Sequence, residues 1–256
     1  MNRQKAIIVS GLLVAGITAS VCYALIQEKD EPAEPLRFST TQTWDPTLLA
    51  QLPHNLDPIT RAKTETYLAQ ISLPPPPEND SDRTTMELAK LHEWSNTERR
   101  DAQADIEAER YAENLRFGTY VYGSTDKPET RELLLDAHAE IIPVILAMKQ
   151  EFDRVRPNYL DPTLTTAIAV PDHPAYPSGH ATESYMLALL LSELDPENAE
   201  VYKADAIRIA HNREIAGVHY PSDSEAGRML ATAFIELYLE SKQIQDRIAT
   251  ARTEWQ

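Results

Sequence analysis

The periodicity of the apolar residues constrains the fold of this chain more than any other sequence feature. Between residues 128 and 148, apolar side chains recur at steps of three and four, namely at Leu134, Ala137, Ile141, Ile145 and Met148. No segment alternates polar and apolar residues for long enough to indicate a strand. The 256 residues include only seven glycines, which suits helices better than a sheet with many tight turns. We therefore predict an all-α fold, a compact helical bundle.

Signals that start and stop helices divide this bundle into elements. Ser95 followed by Glu98 forms a capping-box pattern before a segment rich in Ala, Glu and Arg, which Gly118 closes. The next helix opens near Pro128, and Pro143 is expected to kink it. Further helices are predicted after Gly179, over residues 198–214, and from Ser222 to beyond Ile248.

An uncharged, proline-free run extends from Ala6 to Ile26. As a helix it would span about 30 Å, the thickness of the hydrocarbon core of a bilayer. Basic residues precede the run and acidic residues follow it, so the positive-inside rule places the rest of the chain outside the cytoplasm. We expect residues 1–30 to be a signal peptide or an N-terminal membrane anchor. The protein would be periplasmic, either soluble after cleavage or anchored by residues 6–26.

Proline-rich stretches separate this run from the main helical region. Residues 31–70 are mostly polar and carry several prolines, which indicates a linker or extended arm. The four prolines at 74–77 require a polyproline-like backbone and indicate a stiff spacer. The remaining length suits one domain, which we predict over residues 71–256.

The net charge of −16 argues against a nucleic-acid partner, because binding to phosphate backbones draws on clustered Lys and Arg. Any tight group of cations in such an acidic chain therefore needs an explanation. Cys22 is the single cysteine, so no intramolecular disulfide can form. No cluster of carboxylates suggests a metal site, and none is predicted.

Two short motifs carry candidate anion-binding groups. Lys149 and Arg156 stand seven residues apart, so on a helix both side chains point the same way. Ser178 and Gly179 begin a predicted helix whose first N–H groups, with the helix dipole, can bind an oxyanion. His180 follows directly and lies within reach of such an anion. Each motif alone is equally typical of a solvated charged face or of an ordinary helix start.

A third motif combines Arg213, His219 and Asp223. We expect His219 in the turn before the last helix and Asp223 in the first turn of that helix. There the carboxylate can accept the Nδ1–H of His219 and leave Nε2 free as a nucleophile or base. Taken together, the three motifs supply what a site needs to bind a tetrahedral dianion, attack it and protonate its leaving group.

These residues resemble the signature of the type 2 phosphatidic acid phosphatase superfamily. That signature is Lys, six residues, Arg-Pro; then Pro-Ser-Gly-His; then Ser-Arg, five residues, His, three residues, Asp. One position departs from it, since Asn212 stands where the superfamily has Ser. Upstream, ISLPPPP and SNTERRDAQAD look like the amino-terminal half of bacterial class A nonspecific acid phosphatases. The resemblance implies a metal-free, α-helical periplasmic phosphatase, and members of that family are commonly oligomeric.

The resemblance and the chemistry of the motifs assign a role to each residue. His219 is the expected nucleophile, Asp223 stabilises it, and His180 is the general acid that protonates the leaving alcohol. The expected phosphate-binding groups are Lys149, Arg156, Ser178, Gly179 and Arg213. The expected reaction is metal-independent hydrolysis of small phosphate monoesters through a phosphohistidine, with an acidic optimum and a broad substrate range.

Two other activities stay open at this point. Vanadium haloperoxidases share this anion site and hold vanadate on the histidine equivalent to His219, so vanadate is either an inhibitor here or, in that alternative, the cofactor. A membrane-proximal lipid phosphate or diphosphate phosphatase is the second alternative. A non-catalytic helical module would require decay in the motifs, and Asn212 is the one change found.

Overall fold

The helices of this protein are seen in a computed structural model that describes residues 35–110 and 126–256. Within these residues the only β-structure is an isolated bridge between Arg37 and Arg154. The prediction of an all-α fold is confirmed. In chain order the helices are α1 (Phe38–Thr41), α2 (Pro46–Leu49), α3 (Pro58–Leu68), α4 (Asp82–Thr97), α5 (Arg99–Ala108), α6 (Pro128–Phe152), α7 (Pro157–Leu160), α8 (Gly179–Leu194), α9 (Ala199–Ile215), α10 (Pro221–Glu240) and α11 (Lys242–Ala251).

Helix α8 lies at the centre of the bundle. Its sequence is apolar on almost all sides, which is typical of a helix surrounded by protein. It packs against α9 on one side and α10 on the other, and α6 also contacts it. Met186, Leu190 and Leu191 are fully buried in this packing. The N-terminus of α8 is therefore fixed by the hydrophobic core.

The N-termini of α8 and α10 meet, and this contact brings two of the sequence motifs together. Ser178 caps α8 with its side chain, and its backbone N–H donates to the carbonyl of Asp223 in the first turn of α10 at 3.0 Å. Gly227, one turn further along α10, allows the close approach. A Cβ at Gly227 would lie 2.8 Å from the carbonyl oxygen of Ser178.

The prediction of a linker over residues 31–70 is wrong for the part that the structure describes. Residues 36–68 contain α1, α2 and α3, and prolines begin two of these helices because a proline fits the first helical position. Phe38 and Leu52 are buried, and Tyr67 packs in the main core. Prolines that indicated a linker in the sequence are the first residues of helices in the structure. Leu36–Gln256 form one compact unit.

Two helix boundaries also differ from expectation. Ser95 lies inside α4, where its hydroxyl donates to the carbonyl of His92, so it caps no helix. Ser81 is the residue that caps α4. The predicted last helix is divided at Ser241, whose extended backbone separates α10 from α11. Helix α6 includes Pro143 as one element, and the kink predicted there stays a prediction.

Several predictions fall outside the described residues. These include the apolar run at 6–26, the signal or anchor segment that contains it, and Gly118, although α5 ends at Ala108, before the predicted helix end. No helix within residues 35–110 or 126–256 combines the length and the apolar character that crossing a membrane requires. Residues 71–78 belong to no helix or strand, and the polyproline-like backbone of the four prolines stays a prediction.

The close contact at Gly227 predicts the effect of adding one methyl group. Gly227→Ala would place a Cβ 2.8 Å from the Ser178 carbonyl oxygen and 2.9 Å from the Ala181 Cβ, so α8 and α10 must move apart. We expect a loss of about 1 to 3 kcal/mol in the free energy of unfolding, measured by urea denaturation. Thr232→Ala, at the surface of α10, is the control and should change stability by less than about 0.5 kcal/mol. Equal stability of the two variants would contradict the packing described here.

Candidate active site

The three sequence motifs surround one cavity of about 450 Å³. Five of the eight predicted site residues line it: Lys149, Gly179, His180, Arg213 and His219. The other three contact this set from behind: Arg156 and Asp223 bind His219, and Ser178 caps the helix that Gly179 begins. The structure therefore brings all eight residues to one place.

Two of the cations are held by backbone carbonyl groups. The ammonium of Lys149, at the end of α6, donates to the carbonyls of Pro174 at 2.9 Å and Pro177 at 2.5 Å. The guanidinium of Arg156 donates to the carbonyls of His173 at 3.0 Å and Val218 at 2.7 Å. Both side chains are essentially inaccessible to solvent. These bonds fix the loops that lead into α8 and α10.

The third cation, Arg213 on α9, differs from the other two. It is 2% exposed, yet its Nε and Nη1 have no hydrogen-bond partner among the described residues. Burial lowers its pKa to about 10, so it stays charged at neutral pH. A buried guanidinium with unsatisfied donors is costly. Its place in the cavity wall makes it a ready donor to an anion in the cavity.

His219 lies before α10, where the sequence predicted it. Its Nδ1–H donates to the Oδ2 of Asp223 at 3.0 Å, and its Nε2 accepts from the Nη1 of Arg156 at 3.1 Å. This places the proton on Nδ1 and the lone pair on Nε2. Burial and the charge of Arg156 hold the pKa of His219 well below its usual range. His219 is therefore a neutral imidazole whose Nε2 lone pair accepts a hydrogen bond from Arg156.

A buried arginine that the sequence analysis did not single out supports Asp223 from behind. Arg154 donates to the Oδ1 of Asp223 at 2.6 Å and to the hydroxyl of Ser222 at 2.8 Å. Its guanidinium lies 3.9 Å from the ring centroid of Tyr220. Glu87 on α4 accepts from the backbone N–H and the hydroxyl of Ser222. Asp223 is thus paired on both oxygens and cannot rotate away from His219.

Sequence position offered one signal for this arginine. Arg154 stands two residues before Arg156, and along an extended backbone two side chains at this spacing point to the same side. Glu87 offered no signal, because it lies 136 positions from Asp223 along the chain. Only the packing of α4 against the start of α10 brings it there.

His180, in the first turn of α8, is oriented by the end of α5. Its Nε2–H donates to the carbonyl of Glu109 at 3.0 Å, so the nitrogen that gains or loses a proton is Nδ1. The side chain of Glu109 accepts from Asn212 at 2.8 Å and from Arg208 at 2.7 Å. Asn212, the residue that departs from the resembled signature, therefore anchors the segment that orients His180. Burial and the charge of Arg213 lower the pKa of His180 to about 3.

The site holds cations and histidines, and its acidic groups are dispersed. Over residues 35–110 and 126–256, no group of three or more His, Cys, Asp or Glu side chains is placed to hold a metal ion. Aliphatic side chains of Leu48, Ile142, Ile145 and Ile168 complete much of the cavity wall. The arrangement can bind a tetrahedral anion next to one neutral nucleophilic histidine and a second histidine.

The chain is similar to a known superfamily and to bacterial acid phosphatases. Residues 134–246 match the model of the PAP2 superfamily. A non-specific acid phosphatase of Providencia stuartii is 29% identical over 198 residues, which covers 72% of this chain and 79% of that protein. A non-specific acid phosphatase of Salmonella typhi is 34% identical over 80 residues, 31% of this chain and 32% of that protein.

Among solved structures, a bacterial vanadium-dependent iodoperoxidase superposes with a TM-score of 0.52 at 17% identity. The match covers 84% of this chain and 64% of that one, and it shows similarity of fold. Residues 134–246 therefore correspond to a PAP2 superfamily domain. More particularly, the chain is homologous to bacterial non-specific acid phosphatases. This homology supports the interpretation that the protein is a phosphatase.

The buried pair of Arg154 and Asp223 predicts a large stability effect. Arg154→Met removes one partner of a buried ion pair and should cost about 3 to 5 kcal/mol in the free energy of unfolding. Arg83→Met is the matched control, because Arg83 also binds Glu87 but is half exposed, and it should cost less than about 1 kcal/mol.

A double-mutant cycle with Asp223→Asn tests the pairing itself. If the pair couples as described, the double variant loses clearly less stability than the sum of the two single losses. A loss for Arg154→Met no larger than that for Arg83→Met, or strict additivity in the cycle, would contradict it.

Proposed function

We propose that this protein hydrolyses phosphate monoesters without a metal ion, through a phosphohistidine intermediate on His219. The observation that carries the proposal is Arg213, whose buried Nε and Nη1 lack partners among the described residues in a cavity next to His219. A phosphoryl group supplies oxygen acceptors for these donors. The homology to acid phosphatases supports the hydrolysis of phosphate esters.

Binding of the phosphoryl group follows from the charges around the cavity. Burial and the nearby Arg156 lower the pKa of Lys149, and a bound dianion would oppose that shift by favouring the ammonium. Arg213 donates to the phosphoryl oxygens, and the N–H groups at the start of α8 near Ser178 and Gly179 do so as well. These donors stabilise the charge that the phosphoryl group carries in the transition state.

Attack comes from Nε2 of His219, in line with the leaving alcohol. In the empty cavity the Nη1 of Arg156 donates to this lone pair, so a phosphoryl oxygen must take over that donor before attack. The P–N bond forms as the P–O bond to the alcohol breaks, and Asp223 stabilises the imidazolium that results. In the second step a water attacks phosphorus, the P–N bond breaks and inorganic phosphate leaves.

His180 moves the protons in both steps. It gives a proton from Nδ1 to the leaving alcohol and later takes one from the attacking water, each worth roughly 10²- to 10⁴-fold. With a pKa of about 3, His180 is neutral in the empty cavity near neutral pH. A phosphate monoester whose second pKa is about 6 can bring the missing proton as its monoanion. Activity is then favoured at mildly acidic pH, because the monoanion of the substrate loses its proton as the pH rises.

The location and assembly of the protein are part of the proposal. The apolar run at 6–26 is expected to direct the domain to the periplasm, either cleaved or retained as an anchor. A retained anchor would place the cavity near a membrane surface, and a lipid phosphate is then the alternative substrate. Assembly into homo-oligomers is proposed from the resemblance to class A enzymes.

The reaction class is tested with the segment from Glu31, assayed on a panel of phosphomonoesters, a diphosphate lipid, and peroxide with halide. We expect release of phosphate from several monoesters without added metal, and inhibition by vanadate, which mimics the phosphoryl group. Lys203→Met, at the surface of α9, should be as active as the native sequence, whereas His219→Ala should be inactive. Halide oxidation that depends on vanadate, with no ester hydrolysis, would instead make the protein a haloperoxidase.

The anion site predicts that inorganic phosphate stabilises the fold. At 100 times its Kd, phosphate should add about 2.7 kcal/mol to the free energy of unfolding. For a domain of this size this raises Tm by about 5 to 10 °C in calorimetry. Arg213→Met should abolish most of that increase, whereas Lys203→Met on the same helix should preserve it. An equal increase in both variants would show that Arg213 does not bind the anion.

A further inference from the structure

A pair of titratable side chains, one of which lines the cavity, has no part in the mechanism above. His138 lies on α6 and Glu183 on α8, and the Nε2–H of His138 donates to the Oε2 of Glu183 at 3.1 Å. Glu183 is 6% exposed and lines the cavity. A buried pair of this kind is a weak source of stability. Its position beside the reacting groups points to a role in the reaction.

The carboxylate of Glu183 lies against the first turn of α8. Glu183 follows Gly179 by four residues and His180 by three, and helical side chains lean toward the N-terminus of their helix. A Cβ at Gly179 would lie 3.2 Å from the Oε1 of Glu183. The carboxylate is thus a neighbour of His180, and His138 holds it there from the opposite helix.

The charges that face His180 come from three helices. Arg213 of α9 is positive, Glu183 of α8 is negative, and the end of α5 presents the carbonyl of Glu109 together with Arg110. Burial and Arg213 lower the pKa of His180, and Glu183 acts in the opposite direction. Glu183 is therefore the acidic side chain that favours a protonated His180.

The partners of Glu183 determine how strongly its negative charge favours the protonated form of His180. From α6 it faces His138 and the ammonium of Lys149. Burial alone would lower the pKa of His138, but the hydrogen bond and charge of Glu183 outweigh it and raise that pKa. His138 is thus charged at mildly acidic pH, where it offsets part of the charge of Glu183.

We propose that Glu183, held in place by His138, is a positioning residue that favours proton uptake at Nδ1 of His180. His138 tempers this effect when it is itself protonated. The Nε2–H of His180 stays on the Glu109 carbonyl throughout, so the proton enters and leaves at Nδ1. This inference rests on the proposed function, because it concerns the acid that protonates the leaving group.

Two variants that change only one charge of the pair give opposite predictions. Glu183→Gln keeps an acceptor for His138 but removes the negative charge, so the protonated form of His180 is lost at lower pH. The basic limb of the kcat profile for an alkyl phosphate should move to lower pH by about one unit. His138→Gln keeps a donor to Glu183 but removes the positive charge, so the same limb should move to higher pH.

A second substrate distinguishes an effect of Glu183 on the protonation of His180 from a purely structural effect. The rate for nitrophenyl phosphate, whose leaving group needs little protonation, should fall less than about threefold in Glu183→Gln, whereas that for an alkyl phosphate should fall about tenfold. Limbs that do not move, shifts of the same sign in both variants, or equal losses with both substrates would overturn the proposal.

The same assays distinguish this inference from the function on which it rests. If the native protein hydrolyses neither ester, the proposed function fails. If it hydrolyses both and the limbs stay in place, only the role of Glu183 fails. Should Glu183→Gln not fold, the direction of the shift in His138→Gln decides the matter alone, because a shift to lower pH would contradict the proposed charge effect.

Discussion

The site depends on the backbone carbonyl groups that hold two buried cations. The side chains of Lys149 and Arg156 can be buried because backbone carbonyls replace the water that would otherwise hydrate their charges. These carbonyls belong to Pro174, Pro177 and Val218. The same bonds tie the end of α6 to the loops before α8 and α10. The position of the N-terminus of α8, and of the histidine that precedes α10, therefore follows from how these charges are satisfied.

Positive charge exceeds negative charge at the point where the loops meet. Arg154 and Asp223 neutralise one another behind His219, while Arg213, which lines the cavity, has donors without a partner among the described residues. In a chain of net charge −16, burying unpaired positive charge in this cavity lowers the stability of the empty protein. A bound anion would remove that free-energy cost. Stability and function are linked here, because the groups that make the empty site unfavourable are those that hold the phosphoryl group.

The sequence predicted those contacts of the site that join residues a few positions apart. Helical periodicity and helix-start residues placed His180 in the first turn of α8, and the four-residue step from His219 to Asp223 predicted their hydrogen bond. The linker prediction failed because proline both breaks helices and begins them, and only tertiary packing decides between the two. Buried partners from distant segments, Glu87 and Glu109 among them, left no local pattern, since the fold alone brings them to the site.

The central claim is that phosphorus becomes bonded to Nε2 of His219, and trapping that bond tests it most directly. The protein is mixed with ³²P-labelled phosphomonoester, quenched in base within milliseconds, digested and mapped by mass spectrometry. The account predicts an acid-labile, base-stable label on the peptide that contains His219, absent in His219→Ala. Efficient turnover by His219→Ala, with no labelled histidine in the native protein, would contradict it.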